Sequence, residues 1–419
     1  MRVDETVIAA ETAVGGTAAV GDAFPTPLFG PAKLMKLAFD GEDLLPVRLQ
    51  LIDSYIFAPE DAAALMDLAV IEQIFGNLEV GLARQAEALE LCRLYRSPAS
   101  AAAPGLRLLA IAAAGDIGAN IPLEFLIEGS GIALHTLYIV PGLPLPEPLP
   151  AHDVALVTIG EADANRAALA EIAALIPGWP RPVLNHPGHI ARLGREALCA
   201  LLRPVSGTTI PTSVRLPRER LRRLGQGGLA PGDIIEDAGF PLIVRPVDSH
   251  AGRGLARLDD GAAVAPYLAL RPEAEFHLSP FVDYRGGDGL YRKYRVAFID
   301  GQPFPVHMAA LDDWKIWYVN AGMDRCPAKR AEEAAFLGDF ATGFGGRHAA
   351  ALAGIAERVG LDYFGIDCAE TRDGRLLVFE ADIAQVVHDM DPPEIFPYKR
   401  PAMQRLFAAF RDMLQRKRS

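Results

Sequence analysis

The chain has 419 residues and half of them are hydrophobic, too much apolar material for one ordinary core and enough for roughly two to four domains. Its net charge of −12, from 41 Lys and Arg against 53 Asp and Glu, argues against nucleic acid or an anionic membrane surface as the main partner. The four cysteines, Cys92, Cys199, Cys326 and Cys368, lie far apart without a CxxC pair, against a disulfide framework or zinc site and for a reducing cytoplasm. The opening MRVDETVIAAETAVGG lacks the basic and apolar regions of a signal peptide, and no apolar run reaches membrane-spanning length.

Residues 1–30 are rich in Ala, Gly, Thr and Pro and read as a loose leader. Residues 31–100 form a helical N-terminal segment. Within it, Asp61–Arg96 repeats apolar residues every three or four positions, and Gly76-Asn77 divides the run into two helices. The pair faintly resembles one tetratricopeptide-like hairpin. A single hairpin cannot bury its own faces, so the segment is expected to dock on the main body. Ser97–Gly105, SPASAAAPG, has linker composition.

From residue 106 to 203 the pattern alternates. Strands are expected at Leu106–Ala114, Ala133–Val140 and Asp153–Glu161, and helices at Ile121–Glu128, Asn165–Leu175 and Ala191–Leu202. Such alternation implies a parallel sheet covered on both faces, with ligands at the carboxyl ends of the strands. That rim would carry Gly115, Asp116, Asn120, Glu161 and Asn185. The turn GDIGAN, Gly115–Asn120, lacks the glycine spacing of a dinucleotide fingerprint; it is either a tight turn needing small residues or a substrate-binding turn. The basic stretch LPRERLRRLG reads as a helix with a solvated face.

Chemistry concentrates in the second half. PLIVRP is a short buried strand ending in Arg245, followed by SHAGRG. Ser249, Gly252, Arg253 and Gly254 suit a loop whose amides fold over phosphates. Strands follow at Phe276–Val282 and Tyr294–Ile299, the latter closed by the two-residue turn Asp300-Gly301. Arg295, inside an apolar strand, needs an anion: a polyphosphate or an internal acid. In GLDYFGIDCAETRDGRLLVFEADIA, Asp373-Gly374 signals a two-residue hairpin loop. That loop sets Asp367 directly opposite Glu380, with Asp382 on the same face and Glu370 on the other. Carboxylates forced together need a proton or a cation. Three hard oxygen donors favour Mg2+ or Mn2+; a shared-proton acid–base pair is the alternative.

The order of PLIVRP, SHAGRG, KYRVAFIDG, FGIDCAE and VFEAD resembles the ATP-grasp superfamily, nearest to its RimK-like carboxylate–amine ligase branch, over roughly residues 106–415. The specificity lies in the order and spacing of these segments rather than in any one. The resemblance implies an α/β and α+β multidomain chain. The helical N-terminal segment would precede a Rossmann-like αβ domain (106–203) and an ATP-grasp module of two α+β subdomains (204–419). Arg245 stands where the family usually has a nucleotide-binding Lys, and SHAGRG resembles the loop that covers the phosphates. Pro280, Phe281, Val282 and Asp283 occupy the place of the adenine-binding hinge. Arg295 matches the arginine that stabilises the transferring phosphate, with Lys315 sharing that work. Asp367 and Glu380 match the two magnesium ligands, and Asp382 stands where Asn is usual. Asn320 falls near the triphosphate, and Gly115, Asp116, Asn120 and His388 on the substrate side.

The implied activity is ATP-dependent joining of a small carboxylate and an amine through an acyl phosphate, with ATP and Mg2+ or Mn2+ as cofactors. Two alternatives stay open: an inactive ATP-binding scaffold and a small-molecule kinase. No nucleic acid or membrane partner is expected, the compartment is cytoplasmic, and the sequence leaves a homodimer open.

Overall fold

A computed structural model describes residues 28–97, 105–249 and 252–418. Most of the expected leader, most of the linker, and His250 and Ala251 of the glycine loop lie outside the described residues. Among these residues, no helix is long and apolar enough to cross a membrane.

Strands β1 (Leu94–Arg96), β2 (Leu106–Ala113), β3 (Ile132–Ile139), β4 (Val154–Val157) and β5 (Val183–Leu184) form the first sheet, in the order β1-β3-β2-β4-β5. The last four are parallel and β1 pairs antiparallel on the β3 edge. Every residue of β4 and all but one of β2 are buried, as expected of parallel strands covered on both faces. The first helices are Pro31–Phe39, Leu45–Phe57, Ala62–Ile74 and Leu78–Leu91. Asp61 caps the third by accepting from the amides of Ala63 and Ala64, both at 3.1 Å. Gly76, at φ 85°, makes the break before the fourth. The segment docks: Gln85 accepts from the Gly115 amide at 2.8 Å and Gln73 from the Ile117 amide at 2.9 Å.

Strand β6 (Thr208–Thr209) belongs to the third sheet. The second sheet contains β7 (Val214–Pro217), β8 (Leu242–Pro246), β9 (Ala256–Leu258) and β10 (Glu275–Pro280), ordered β7-β10-β8-β9 and wholly antiparallel. It has its own small core, including Leu216, Leu242, Val244 and Phe276. Strands β11 (Tyr291–Ile299), β12 (Gln302–Leu311), β13 (Tyr363–Glu370) and β14 (Leu376–Asp382) complete the third sheet, ordered β12-β11-β13-β14-β6. One contiguous core joins the first and third sheets, from Leu108 and Leu156 to Phe298, Phe364 and Phe410. The second sheet is thus a separate lobe facing a larger two-sheet body.

The β11–β12 turn is the expected two-residue loop, with Asp300 at φ 49° and Gly301 at φ 78°. The β13–β14 hairpin differs. The Thr371 amide donates to Arg375 O at 2.9 Å, and the Gly374 amide donates back to Thr371 O at 2.9 Å. Three residues therefore form the loop, with Gly374 left-handed at φ 77°. Glu370 pairs with Leu376, one residue out of the expected register. A bulge on β14 then restores it, and Asp367 faces Glu380. The helix expected over 191–202 begins only at Arg195 and runs to Leu202, with a separate short helix, Pro187–Ile190, before it.

Asn185, expected on a ligand-facing rim, is instead fully buried. Its Nδ2 donates to Tyr363 O at 2.8 Å and its Oδ1 accepts from the Tyr363 amide at 2.9 Å. It ties the end of the first sheet to the start of β13. Replacing Asn185 by Ala strands both Tyr363 groups, and the expected cost is about 3 kcal/mol, read as a lower midpoint in urea unfolding.

Candidate active site

Lys293 and Arg295 sit two apart on β11, Asp367 lies across from Arg295 on β13, and Glu380 lies across from Asp367 on β14. Strand alternation therefore puts all four on one face, with Asp382 beyond. The Asp367 side chain is 1% exposed. Arg295 grips both of its oxygens, Nε to Oδ1 at 2.8 Å and a terminal nitrogen to Oδ2 at 3.1 Å. Lys293 Nζ lies 2.6 Å from Oδ2. Burial alone would raise the Asp367 pKa; Arg295 and Lys293 overturn that and hold the carboxyl well below the usual range.

Glu380 is met from outside the sheet. Arg195, on the helix Arg195–Leu202, donates to its Oε2 at 2.7 Å, and Arg245 at the end of β8 lies 3.7 Å away. Burial and then Arg195 push the Arg245 pKa down to about 10. The second sheet presents a basic row, because Arg215 on β7 and Arg245 on β8 both pair with His277 on β10. Burial, Arg195 and Arg245 lower the His277 pKa to about 4, so the imidazole is neutral at pH 7. Between this row, the helix and β14 lies a cleft of ≈ 490 Å³ lined by Glu161, Asp163, Arg195, Arg215, Arg245 and Asp382. Burial, Asp248 and other nearby acids raise the Glu161 pKa to about 7, against the opposing pull of Arg166.

The glycine loop lies beside the same arginine. Arg245 Nε donates to Ser249 Oγ at 3.1 Å, and Ser249 Oγ donates to Pro246 O at 2.7 Å. Gly252 and Gly254 are both left-handed at φ 69°, and a Cβ on Gly254 would meet Pro246 Cδ at 2.6 Å. Arg253 is exposed. Lys315 reaches over the loop, its Nζ donating to Leu255 O at 3.0 Å, and Trp317 stands against Gly252. Tyr318 anchors this strap from behind, donating to the fully buried Glu333 at 2.9 Å beside Tyr398 and Lys399.

At the expected hinge, Pro280 ends β10. The Phe281 amide donates to Pro241 O at 3.1 Å, and its ring meets Trp314 edge-on at 5.9 Å, with Arg257 at 4.6 Å. Val282 packs on the aromatic cluster around Tyr284 and Tyr291. Asp283 pairs with Arg372 at 3.0 Å.

Other expected site residues have structural partners. Asn320 accepts from the Trp317 amide at 3.1 Å and donates to Lys315 O at 3.0 Å, shaping the strap. His388 packs between Phe39 and Phe125, with ring centroids at 5.8 and 6.1 Å. Asn120 exchanges both of its amide bonds with the Ala113 backbone, and Asp116 accepts from the Gly118 amide. Gly115 lies under Gln85. These geometries put the GDIGAN turn to work in holding the first sheet against the helical segment.

The acids do not fit a resident magnesium as they stand. Both Asp367 oxygens carry cations at hydrogen-bond distance. Asp382 accepts from the Ala384 amide at 3.0 Å. Among the described residues, no three His, Cys, Asp or Glu side chains converge as a metal site. Where three open carboxylates are expected, Lys293 and Arg295 lie on Asp367 and Arg195 lies on Glu380.

No protein-family model matches the sequence, and no curated protein matches it. Among solved structures, the chain is similar to a RimK-domain ATP-grasp protein of Sphaerobacter thermophilus (19% identity, TM-score 0.44, 74% of this chain and 99% of that one). It is also similar to a D-alanine–D-alanine ligase of Bacillus anthracis complexed with ATP (14% identity, TM-score 0.44, 75% and 96%). A third is the VanG D-Ala:D-Ser ligase of Enterococcus faecalis (12% identity, TM-score 0.44, 74% and 99%). Likeness this distant assigns neither chemistry nor substrate, which the cleft itself must support.

Glu161 offers a pH test. Its folded pKa of about 7 lies above the ordinary 4.5, so the folded state holds the proton more tightly. Its contribution is present at low pH and is lost as pH rises towards 7. Urea midpoints at pH 5 and pH 8 should show Glu161→Gln gaining on the wild type at the higher pH.

Proposed function

We propose that the chain is an ATP-dependent carboxylate–amine ligase. The observation that supports this most is the concentration of Arg195, Arg245, Lys293 and Arg295 around Asp367 and Glu380, beside a left-handed glycine loop. Four fixed cations, two on β11, one on a helix and one on the second lobe, suit a ligand carrying several negative charges. ATP is the substrate that joins this need to a glycine loop and an aromatic-lined hinge.

In this reading, Arg245 and the Gly252–Gly254 loop hold the inner phosphates, with Lys315 closing over the loop. Arg295 and Lys293 hold the terminal phosphate. A carboxylate oxygen of the first substrate attacks the γ-phosphorus, and the bond to the bridging oxygen breaks towards ADP. The amine of the second substrate then attacks the acyl carbon, phosphate leaves with the bonding pair, and the nitrogen gives up a proton to water. Charge neutralisation and positioning supply the catalysis, and no side-chain nucleophile is required.

The test is ADP release measured across amino acids and small carboxylic acids, alone and with amines. Release that needs both an acid and an amine is expected. Release with one acceptor alone would make the chain a kinase, and tight ATP binding without release would make it a scaffold. In an active pair, Arg295→Met is expected to lower kcat by about 10²-fold or more, checked by steady-state kinetics.

A further inference from the structure

Asp367 is the deepest acid of the cluster, and its partners are set by strand register. Arg295 is its direct neighbour on β11. Lys293, two residues earlier, emerges on the same face and reaches the oxygen that Arg295 holds less closely, 2.6 Å against 3.1 Å. A magnesium ligand needs an oxygen open to a metal at roughly 2.0–2.1 Å, in near-octahedral surroundings. Lys293 Nζ occupies that approach, and it keeps a side-chain exposure of 22% against 1% for Asp367. The ammonium therefore has the carboxylate on one side and the open side of the cluster on the other. Adding a divalent ion would place further positive charge where Arg195, Arg245, Lys293 and Arg295 already outnumber the three acids Asp367, Glu380 and Asp382, at a poorly screened site.

We infer that Lys293 takes the place of a divalent cation at Asp367: its ammonium, rather than a metal, links this carboxylate to the terminal phosphates of a bound nucleotide. The inference rests on ATP being the ligand. Metal that travels with ATP is then carried by the nucleotide, and Asp367 serves to position Lys293 and Arg295.

The experiment is calorimetric titration of the whole chain with the non-hydrolysable analogue adenylyl imidodiphosphate, once in EDTA and once in magnesium. Wild-type Kd values are expected to agree within about threefold. Lys293→Met should weaken binding in EDTA by about tenfold or more and regain affinity when magnesium is added, because Asp367 is then open to the metal. Recovery of Lys293→Met in magnesium shows that the variant is folded, and failure to recover overturns the inference. A wild-type Kd that worsens about tenfold or more in EDTA overturns the inference and leaves the ATP reading standing. Absence of binding in both buffers overturns the ATP reading, and the inference falls with it.

Discussion

A carboxylate shut away from water stays ionised only if neighbouring cations replace the hydration it has lost. Asp367 meets that condition through Arg295 and Lys293, and much of the site follows from it. The pair crosses two strands, so it requires β11 and β13 to be in register. Glu380, on the far side of Asp367, adds a second negative charge that draws Arg195 from a helix and Arg245 from the other lobe. The two acids thereby organise contacts among two sheets and a helix.

The two-body layout gives this cluster its setting. The first and third sheets share a core, and the second sheet stands apart with a small core of its own. The cleft runs between them, so its walls belong to parts able to move against each other more easily than parts within a common core. Arg245–Glu380 spans that boundary at 3.7 Å, longer than the contacts within the third sheet. An anion entering the cleft would compete with Glu380 for Arg245.

Much of this was legible in the sequence where local rules decide it. Period-two alternation placed Arg295, Asp367, Glu380 and Asp382 on strands, and Asp300-Gly301 marked its turn correctly. The Asp367–Glu380 pairing was reached despite an error. The loop at Asp373-Gly374 has three residues rather than two, and the β14 bulge cancels the offset. Neither departure has a plain signal, because a bulge depends on how the partner strand packs. Lys293 was readable from its spacing to Arg295. Arg195 was not, since it lies 185 residues from Glu380 and arrives through tertiary packing. Asn120, Asn185 and Asn320 looked available for ligand, but side-chain amides also serve to pair stray backbone groups, as all three do here.

The chemistry proposed for the cleft depends on phosphate lying on the face that carries Lys293, Arg295 and Asp367. A crystal structure with a non-hydrolysable ATP analogue tests this most directly. The expected result is a terminal phosphate within hydrogen-bond distance of Lys293 and Arg295, with the Gly252–Gly254 amides over the inner phosphates. Nucleotide bound elsewhere, with the Asp367 ion pairs intact and no phosphate at Arg295, would contradict it.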